Sequence, residues 1–525
     1  MEPMQPFSAQ FSAYLKDESR TIGFADSISF PKSEAEVLTI LTYCNQNNIP
    51  VTIQGARTGL AAAAVPFGGH VMNLSQMKQM LSLREENGQF FLTVEPGLTL
   101  LECNQKLASH QLQSPGFSAA SLAVLEQMEG KTFFFAPDPT ETTCTIGGMA
   151  ACNAAGARSF LYGPTRNHIT ALRVVLPSGE TLALRRGTCF ARHRQLHLTT
   201  EQGTSYLLPL PQYRMPNTKN ASGYYIKENL DAIDLFLGSD GTLGVITALE
   251  LKLTLLPASI WGISFFFSAE ETALRFADTV RHQMPGLASV EYFDDAALTL
   301  LRKQKETGLA FAALPTIAEA DRCCVYLELH SDTDEENMEK MVRLGRVMEQ
   351  CGGDQSRTWV ARNETDLSLL HFFRHAVPES ANLIIDERKK EYPEITKLGA
   401  DMSVPDDRLF DVMRLYRTTL AEAHLESATW GHLGNNHLHV NILPRDLSDF
   451  HKGKALYARW AEEISAMGGA VSAEHGVGKI KAPFLALMYG KEAIEEMRQL
   501  KLTLDPHSIL GNGNLFPSIR KEAEV

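Results

Sequence analysis

The apolar positions of the first third of the chain fall into alternating helical and extended periods. Residues 33–46 place Val37, Leu38, Leu41 and Cys44 on one helical face behind a Ser/Glu start. Pro50 and the short strand Val51, Thr52, Ile53 follow, and the strand ends in a glycine loop, Gln54 to Leu60. Strands are expected at 71–74 and 90–95, where Pro96 and Gly97 turn the chain into a helix from Thr99 to about Ser109. Segments 172–176 and 181–185, separated by Ser178 and Gly179, read as a hairpin. Residues 187–220 are polar and irregular and carry no usable period, whereas 237–253 sets three glycines within seven residues ahead of an alternating strand.

Composition shifts after Pro257. Strand 262–267, helix 269–282, strand 288–293, strand 323–329, helix 334–351 and strand 357–360 give the β-α-β-β-α-β order of a ferredoxin-like unit, with helices near 364–376 and 405–423 extending it. At 525 residues the chain exceeds one hydrophobic core, so two or three domains are expected.

Bulk chemistry narrows the function classes. A net charge of −13 disfavours nucleic acid and anionic membrane surfaces, which need clustered positive charge. No run approaches the roughly 20 apolar residues that span a bilayer, and no secretory leader pattern opens the chain, so a cytoplasmic protein is expected. The eight cysteines, at 44, 103, 144, 152, 189, 323, 324 and 351, form no CxxC pair or tight cluster, which disfavours an iron–sulfur centre within the chain.

Two stretches carry candidate chemistry. The first, from Pro137 to Ile169, is rich in Gly, Ala, Ser, Thr and Asn, and lets backbone approach a large planar, phosphate-bearing ligand through Gly147, Gly148 and Gly156. The second is GHLGNNHLHVNI at 431–442, followed by SAEHGVG at 472–478. Alternation puts His437 and His439 on one strand face, and the turn at 434–436 brings His432 alongside. Two imidazoles and Glu474 make the three-ligand set of a catalytic zinc site, with spacing alone leaving His437 and His439 as alternatives. In extended backbone the side chains of Glu474 and His475 would diverge, one toward metal and one toward substrate.

In order along the chain stand VTIQGARTGLAAAAVP, TVEPGLTLLE, PDPTETTCTIGGMAACNAAGARSFLYGPTRNHI, ASGYY, GSDGTLGVIT, DMSVP, GHLGNNHLHVNI and SAEHGVGK. Together they resemble the FAD-linked oxidase and dehydrogenase family of D-lactate dehydrogenases, glycolate oxidase large subunits and D-2-hydroxyglutarate dehydrogenases, within the vanillyl-alcohol-oxidase superfamily. The resemblance implies an α+β fold. A two-subdomain FAD-binding domain of the PCMH/VAO type (1–256) precedes a ferredoxin-like antiparallel-sheet cap domain with the metal-binding histidines (257–470), and a C-terminal helical segment (471–525) completes the active site.

By the same resemblance, Gly55, Ala56, Arg57, Thr58, Gly59 and Leu60 wrap the pyrophosphate, and Pro137 and Thr140 lie beside the flavin. Thr145, Gly147, Gly148, Asn153 and Gly156 line it, Gly241, Thr242 and Ile246 close the site, and Asn512 contacts it from the tail. The phosphate loop lacks the His that anchors flavin covalently in other members, which implies non-covalent FAD. The resemblance selects His432, His439 and Glu474 as ligands of a divalent metal, zinc by preference, with His475 as base and Arg374 and Lys397 receiving the substrate carboxylate. Asn435, Asn436 and His437 stand where Asp-Gly-Asn is usual in the family.

The implied reaction is oxidation of a small D-2-hydroxy acid to the 2-oxo acid, the metal binding hydroxyl and carboxylate and the C2 hydride passing to flavin N5. Electrons then leave to an external acceptor: an electron-transfer flavoprotein, a quinone or an iron–sulfur subunit. No nucleic acid and no transmembrane segment enter this picture, and a homodimer is compatible with it. Rival readings are a metal-dependent hydrolase, a non-redox flavoenzyme of the same superfamily and a non-catalytic flavin-binding subunit.

Overall fold

In the computed structural model, which describes residues 4–112 and 114–517, two sheet-based cores are joined by a returning C-terminal segment. The part of 471–525 beyond residue 517 lies outside the described residues. The N-terminal core begins with a four-stranded sheet in which Ser27–Ser29, His70–Asn73 and Val51–Gln54 run parallel and Met4–Pro6 joins the edge antiparallel. Helix Glu34–Gln46 starts where Ser33 accepts from Glu36 N–H, and it buries Val37, Ile40, Leu41 and Cys44 against Val51, Met72 and Leu510.

A second sheet runs Met80–Glu86, Gln89–Val94, Val245–Lys252, Ile169–Val175, Thr181–Arg185, all antiparallel. The alternating strand after the glycine-rich segment is therefore central, with only Lys252 of its eight residues exposed. Helix Leu100–Ala108 opens with a capping box between Thr99 and Glu102, as its sequence dictates. The irregular stretch 187–220 contains a hairpin, Gln195–Thr199 with Ser205–Pro209, whose Leu196, Leu198 and Leu208 turn inward. Its period was masked by polar residues on the outer face.

The cap is an antiparallel sheet ordered Thr358–Ala361, Ser259–Phe267, Cys323–Ser331, Leu287–Phe293, Ser427–His432, His437–Ile442, Leu398–Gly399. Its first four strands have the ferredoxin-like order, and helices Glu270–Gln283 and Asp334–Gln350 supply the crossovers. A helix absent from the sequence reading, Asp295–Glu306, is capped by Asp294 and packs Leu298 and Leu301 under the sheet. The expected helix near 364–376 continues to Arg388 through Pro378.

From residue 470 the chain leaves the cap and returns to the N-terminal core. Helix Ala482–Leu504, broken at Gly490, buries Leu485, Met497 and Leu500 in the N-terminal core. Val51 N–H donates to Ile509 O at 2.7 Å, which ties the tail to the first sheet. The loop carrying Glu474 and His475 is thereby suspended between the two sheet systems. No helix among the described residues is long and apolar enough to cross a membrane.

Candidate active site

Between the N-terminal sheets and the 474–478 loop lies a cleft of about 1460 Å³, counted with its open mouth. Gly55 through Leu60, Thr140, Thr145, Gly147, Gly148, Gly241 and Ile246 line it, together with Glu474 and His475. Close packing explains the small residues. A Cβ on Gly55 would meet Thr145 Oγ1 at 2.1 Å, and one on Gly147 would meet Pro96 Cβ at 2.5 Å. No backbone carbonyl among the described residues accepts a hydrogen bond from the N–H groups of Ala56 through Leu60. These groups stay available to phosphate oxygens, the cradle that a dinucleotide needs.

Five expected cofactor contacts do not line this cleft. Pro137 is buried, and Pro139, one side-chain alternation on, takes the wall. Asn153 is the left-handed cap of helix Ile146–Cys152, and its Oδ1 accepts from Arg166 N–H at 2.9 Å. Gly156 backs onto Asp138, whose carbonyl oxygen would lie 1.9 Å from a Cβ there. The Thr242 hydroxyl is turned inward, donating to Ser239 O at 2.7 Å and meeting the Tyr224 hydroxyl at 2.8 Å. In the tail Asn514, rather than Asn512, reaches the core, donating to Asp240 O at 2.9 Å and Ala63 O at 3.2 Å.

Beside the cleft, cross-strand pairing of His432 with His437 and of Trp430 with His439 puts the three imidazoles on one face. Asn436 closes the turn at φ 48°, and its side chain donates to Pro405 O and Asp406 O. Glu474 Oε1 lies 3.3 Å from His432 Nε2, 3.3 Å from His439 Nε2 and 3.4 Å from His475 Nε2. Glu474 Oε2 accepts from Lys219 at 2.6 Å. Glu474 and His475 thus converge instead of diverging, because the loop bends at 473–475 and Asp401 draws both of their backbone N–H groups, at 3.3 and 3.1 Å.

Sequence reasoning passed over three groups that organise this cluster. Asp401, from DMSVP, also accepts from Ser472 Oγ at 2.9 Å, pairs with Lys481 and lies 3.3 Å from His475 Nδ1. Glu291 stands on a wholly buried strand, where a lone acid among apolar neighbours was the available signal. Its Oε1 meets His432 Nδ1 at 2.7 Å, and its Oε2 lies 3.5 Å from Arg374 Nη2. Lys219, ahead of ASGYY, is the third.

The electrostatics follow from burying these charges together. Burial opposes ionisation of Glu474, yet Lys219 and His432 hold its carboxyl well below the usual range. Burial likewise opposes charge on His432, but Glu291 and Glu474 carry it up to about 9. Glu291 is drawn down to about 2 against its burial by His432 and Arg374. Burial alone dominates His437, pushed down to about 3, and His439 is lowered for the same reason. Arg374 lies over the Tyr326 ring at 5.2 Å, with its buried Nε lacking a hydrogen-bond partner among the described residues. Lys397 is set apart, 5.8 Å from the Trp430 ring centre, and burial with Arg20 nearby brings its ammonium down to about 8.

Known proteins are similar over most of the chain. The family described as FAD linked oxidases, C-terminal domain, matches residues 256–515, and the FAD binding domain family matches 25–125 and 118–185. The glycolate oxidase subunit GlcD of Bacillus subtilis is 26% identical over 94% of this chain and 89% of its own. D-lactate dehydrogenase of Anaerostipes hadrus is 27% identical over 92% and 88%, and D-2-hydroxyglutarate dehydrogenase of Stutzerimonas stutzeri 26% over 96% and 94%. Among solved structures, an alkyldihydroxyacetonephosphate synthase superposes with TM-score 0.62 at 14% identity, covering 97% of this chain and 82% of that one. The 4-ethylphenol oxidase of Gulosibacter chungangensis gives 0.62 at 15% identity over 98% and 95%. The fold is thus the α+β fold of the vanillyl-alcohol-oxidase type, and the chain belongs to the FAD-linked oxidases.

Proposed function

We propose that the chain oxidises a small D-2-hydroxy acid to the 2-oxo acid with non-covalent FAD and a divalent metal. The observation that carries this reading is that Glu474 and His475 line the cofactor cleft while Glu474 also faces His432 and His439. The donor chemistry supports a metal there. One nitrogen of His432 is taken by Glu291 and one nitrogen of His439 faces Ala400 O at 3.3 Å, which leaves each Nε2 pointing at Glu474. Outer acceptors that fix the tautomer and aim the other nitrogen are the usual support of metal-binding imidazoles.

When bound, FAD supplies the hydride acceptor and the metal supplies a Lewis acid that acidifies the substrate hydroxyl. The protein's own groups do the rest. Asp401 lies 3.3 Å from His475 Nδ1, which holds the proton on that nitrogen and leaves Nε2, 3.4 Å from Glu474 Oε1, to take the hydroxyl proton. Arg374, with an Nε that has no hydrogen-bond partner among the described residues and a guanidinium fork, receives the carboxylate and so orients C2. Lys397, beside Trp430, is a weaker partner for the same charge. Re-oxidation of a bound flavin would draw on an acceptor outside the eight scattered cysteines of this chain, such as an electron-transfer flavoprotein, a quinone or an iron–sulfur subunit. An anaerobic screen of D-lactate, glycolate and D-2-hydroxyglutarate checks this. Flavin bleaching that a chelator abolishes is expected, whereas a flavin that none of them reduces would sink the assignment.

A further inference from the structure

Resting on the reading of His432, His439 and Glu474 as metal ligands, we propose that His437 is a fourth protein ligand, which makes the site a three-imidazole, one-carboxylate centre. His437 is completely buried, and neither ring nitrogen has an aligned hydrogen bond among the described residues. With Nε2 facing Asp401, a solvent-free imidazole whose Nδ1 has no hydrogen-bond partner among the described residues is costly, and a cation at Nδ1 would satisfy it. The ligand atoms offered by His432, His437, His439 and Glu474 all lie within 4.8 Å of one another.

The ring is also poised like its neighbours. His437 Nε2 stands 2.8 Å from Asp401 Oδ1, and Nδ1 faces Glu474 Oε2 at 3.8 Å. Each of the three imidazoles therefore turns one nitrogen to an outer oxygen, from Glu291, Ala400 or Asp401, and the other toward Glu474. The ring centres of His437 and His439 are 4.5 Å apart, and those of His432 and His437 5.4 Å apart. Lys219 occupies Glu474 Oε2, so Oε1 is the oxygen left for a cation shared with the imidazoles. His437 replaces the Asn of the related motif, and an added imidazole shifts the donor set toward zinc, cobalt or nickel and away from magnesium or manganese.

The test uses the full-length flavoprotein, stripped with a chelator and titrated with zinc against a competing chelator, with imidazole ligands counted by X-ray absorption at the zinc edge. Wild type is expected to bind one zinc with three imidazoles. His437→Asn, still yellow with bound FAD, is expected to bind it at least ~10–100-fold more weakly with two, since even outer partners contribute that much. Equal affinity and two imidazoles in both proteins would overturn the role of His437 and leave the three-residue site standing. No zinc binding by wild type would overturn both. If His437→Asn fails to retain FAD, the wild-type count decides alone: three imidazoles support the proposal and two refute it.

Discussion

The cofactor cleft and the histidine cluster share the bend at 474–475 yet are built from opposite materials. The cleft is a backbone surface, with glycines packed against Thr145 and Pro96 and a run of N–H groups without carbonyl partners among the described residues. The cluster is a side-chain surface, made by Glu474, Asp401, Glu291, Lys219 and three imidazoles from strands and loops up to 255 residues apart. Backbone sites need small residues in a row, whereas charge clusters need partners that only the fold brings together. The two should therefore fail separately when mutated.

His475→Ala gives the largest effect. Its flavin should bind as in wild type, while the rate of flavin reduction by substrate falls ~10²–10⁴-fold, the usual contribution of a positioned base. Stopped-flow bleaching measures it, and an unchanged rate would remove His475 from the chemistry. Asp401→Asn comes next. It loses the carboxylate that holds His475, Lys481 and the loop N–H groups, so reduction should slow ~10–100-fold at unchanged FAD content.

Gly147→Ala addresses the other surface. Its Cβ would press on Pro96, costing ~1–3 kcal/mol, so FAD affinity and thermal stability should fall while zinc binding persists. Loss of zinc along with the flavin would show that the two surfaces are one cooperative unit.

The smallest effect concerns Asp240, which links the surfaces by accepting from Val477 N–H at 2.9 Å and Gly478 N–H at 2.8 Å. Burial raises its carboxyl from an ordinary 3.8 to about 6. A raised acid binds its proton more tightly folded than unfolded, so its contribution to stability declines as pH rises from 3.8 to about 6. Asp240→Asn should lose that part of the fall in Tm with pH, measured for both proteins by scanning calorimetry at pH 4 and pH 6.5.

The same contrast decides what could be read without a structure. Gly55 and Gly147 announce themselves because close approach of their neighbours leaves no room for a Cβ at those very positions. The ferredoxin-like order and the shared face of His437 and His439 follow from local periodicity. Pro137, Asn153, Gly156, Thr242 and Asn512 do not line the cleft, and composition could not separate them from those that do, because caps and packing glycines have the same composition as a ligand wall. Asp401 and Lys219 carry no local signature of their roles, and Glu291 only that of a lone acid in an apolar strand, since each matters through a residue far along the chain.

The central claim joins the two surfaces in one reaction: a substrate oxygen handled by the cluster while hydride leaves to the flavin in the cleft. Anaerobic mixing of the metal-loaded flavoprotein with D-lactate or D-2-hydroxyglutarate, with and without prior chelation, tests it most directly. Rapid bleaching of the flavin that chelation abolishes and added zinc restores is the expected result. Bleaching at the same rate after complete metal removal would contradict it.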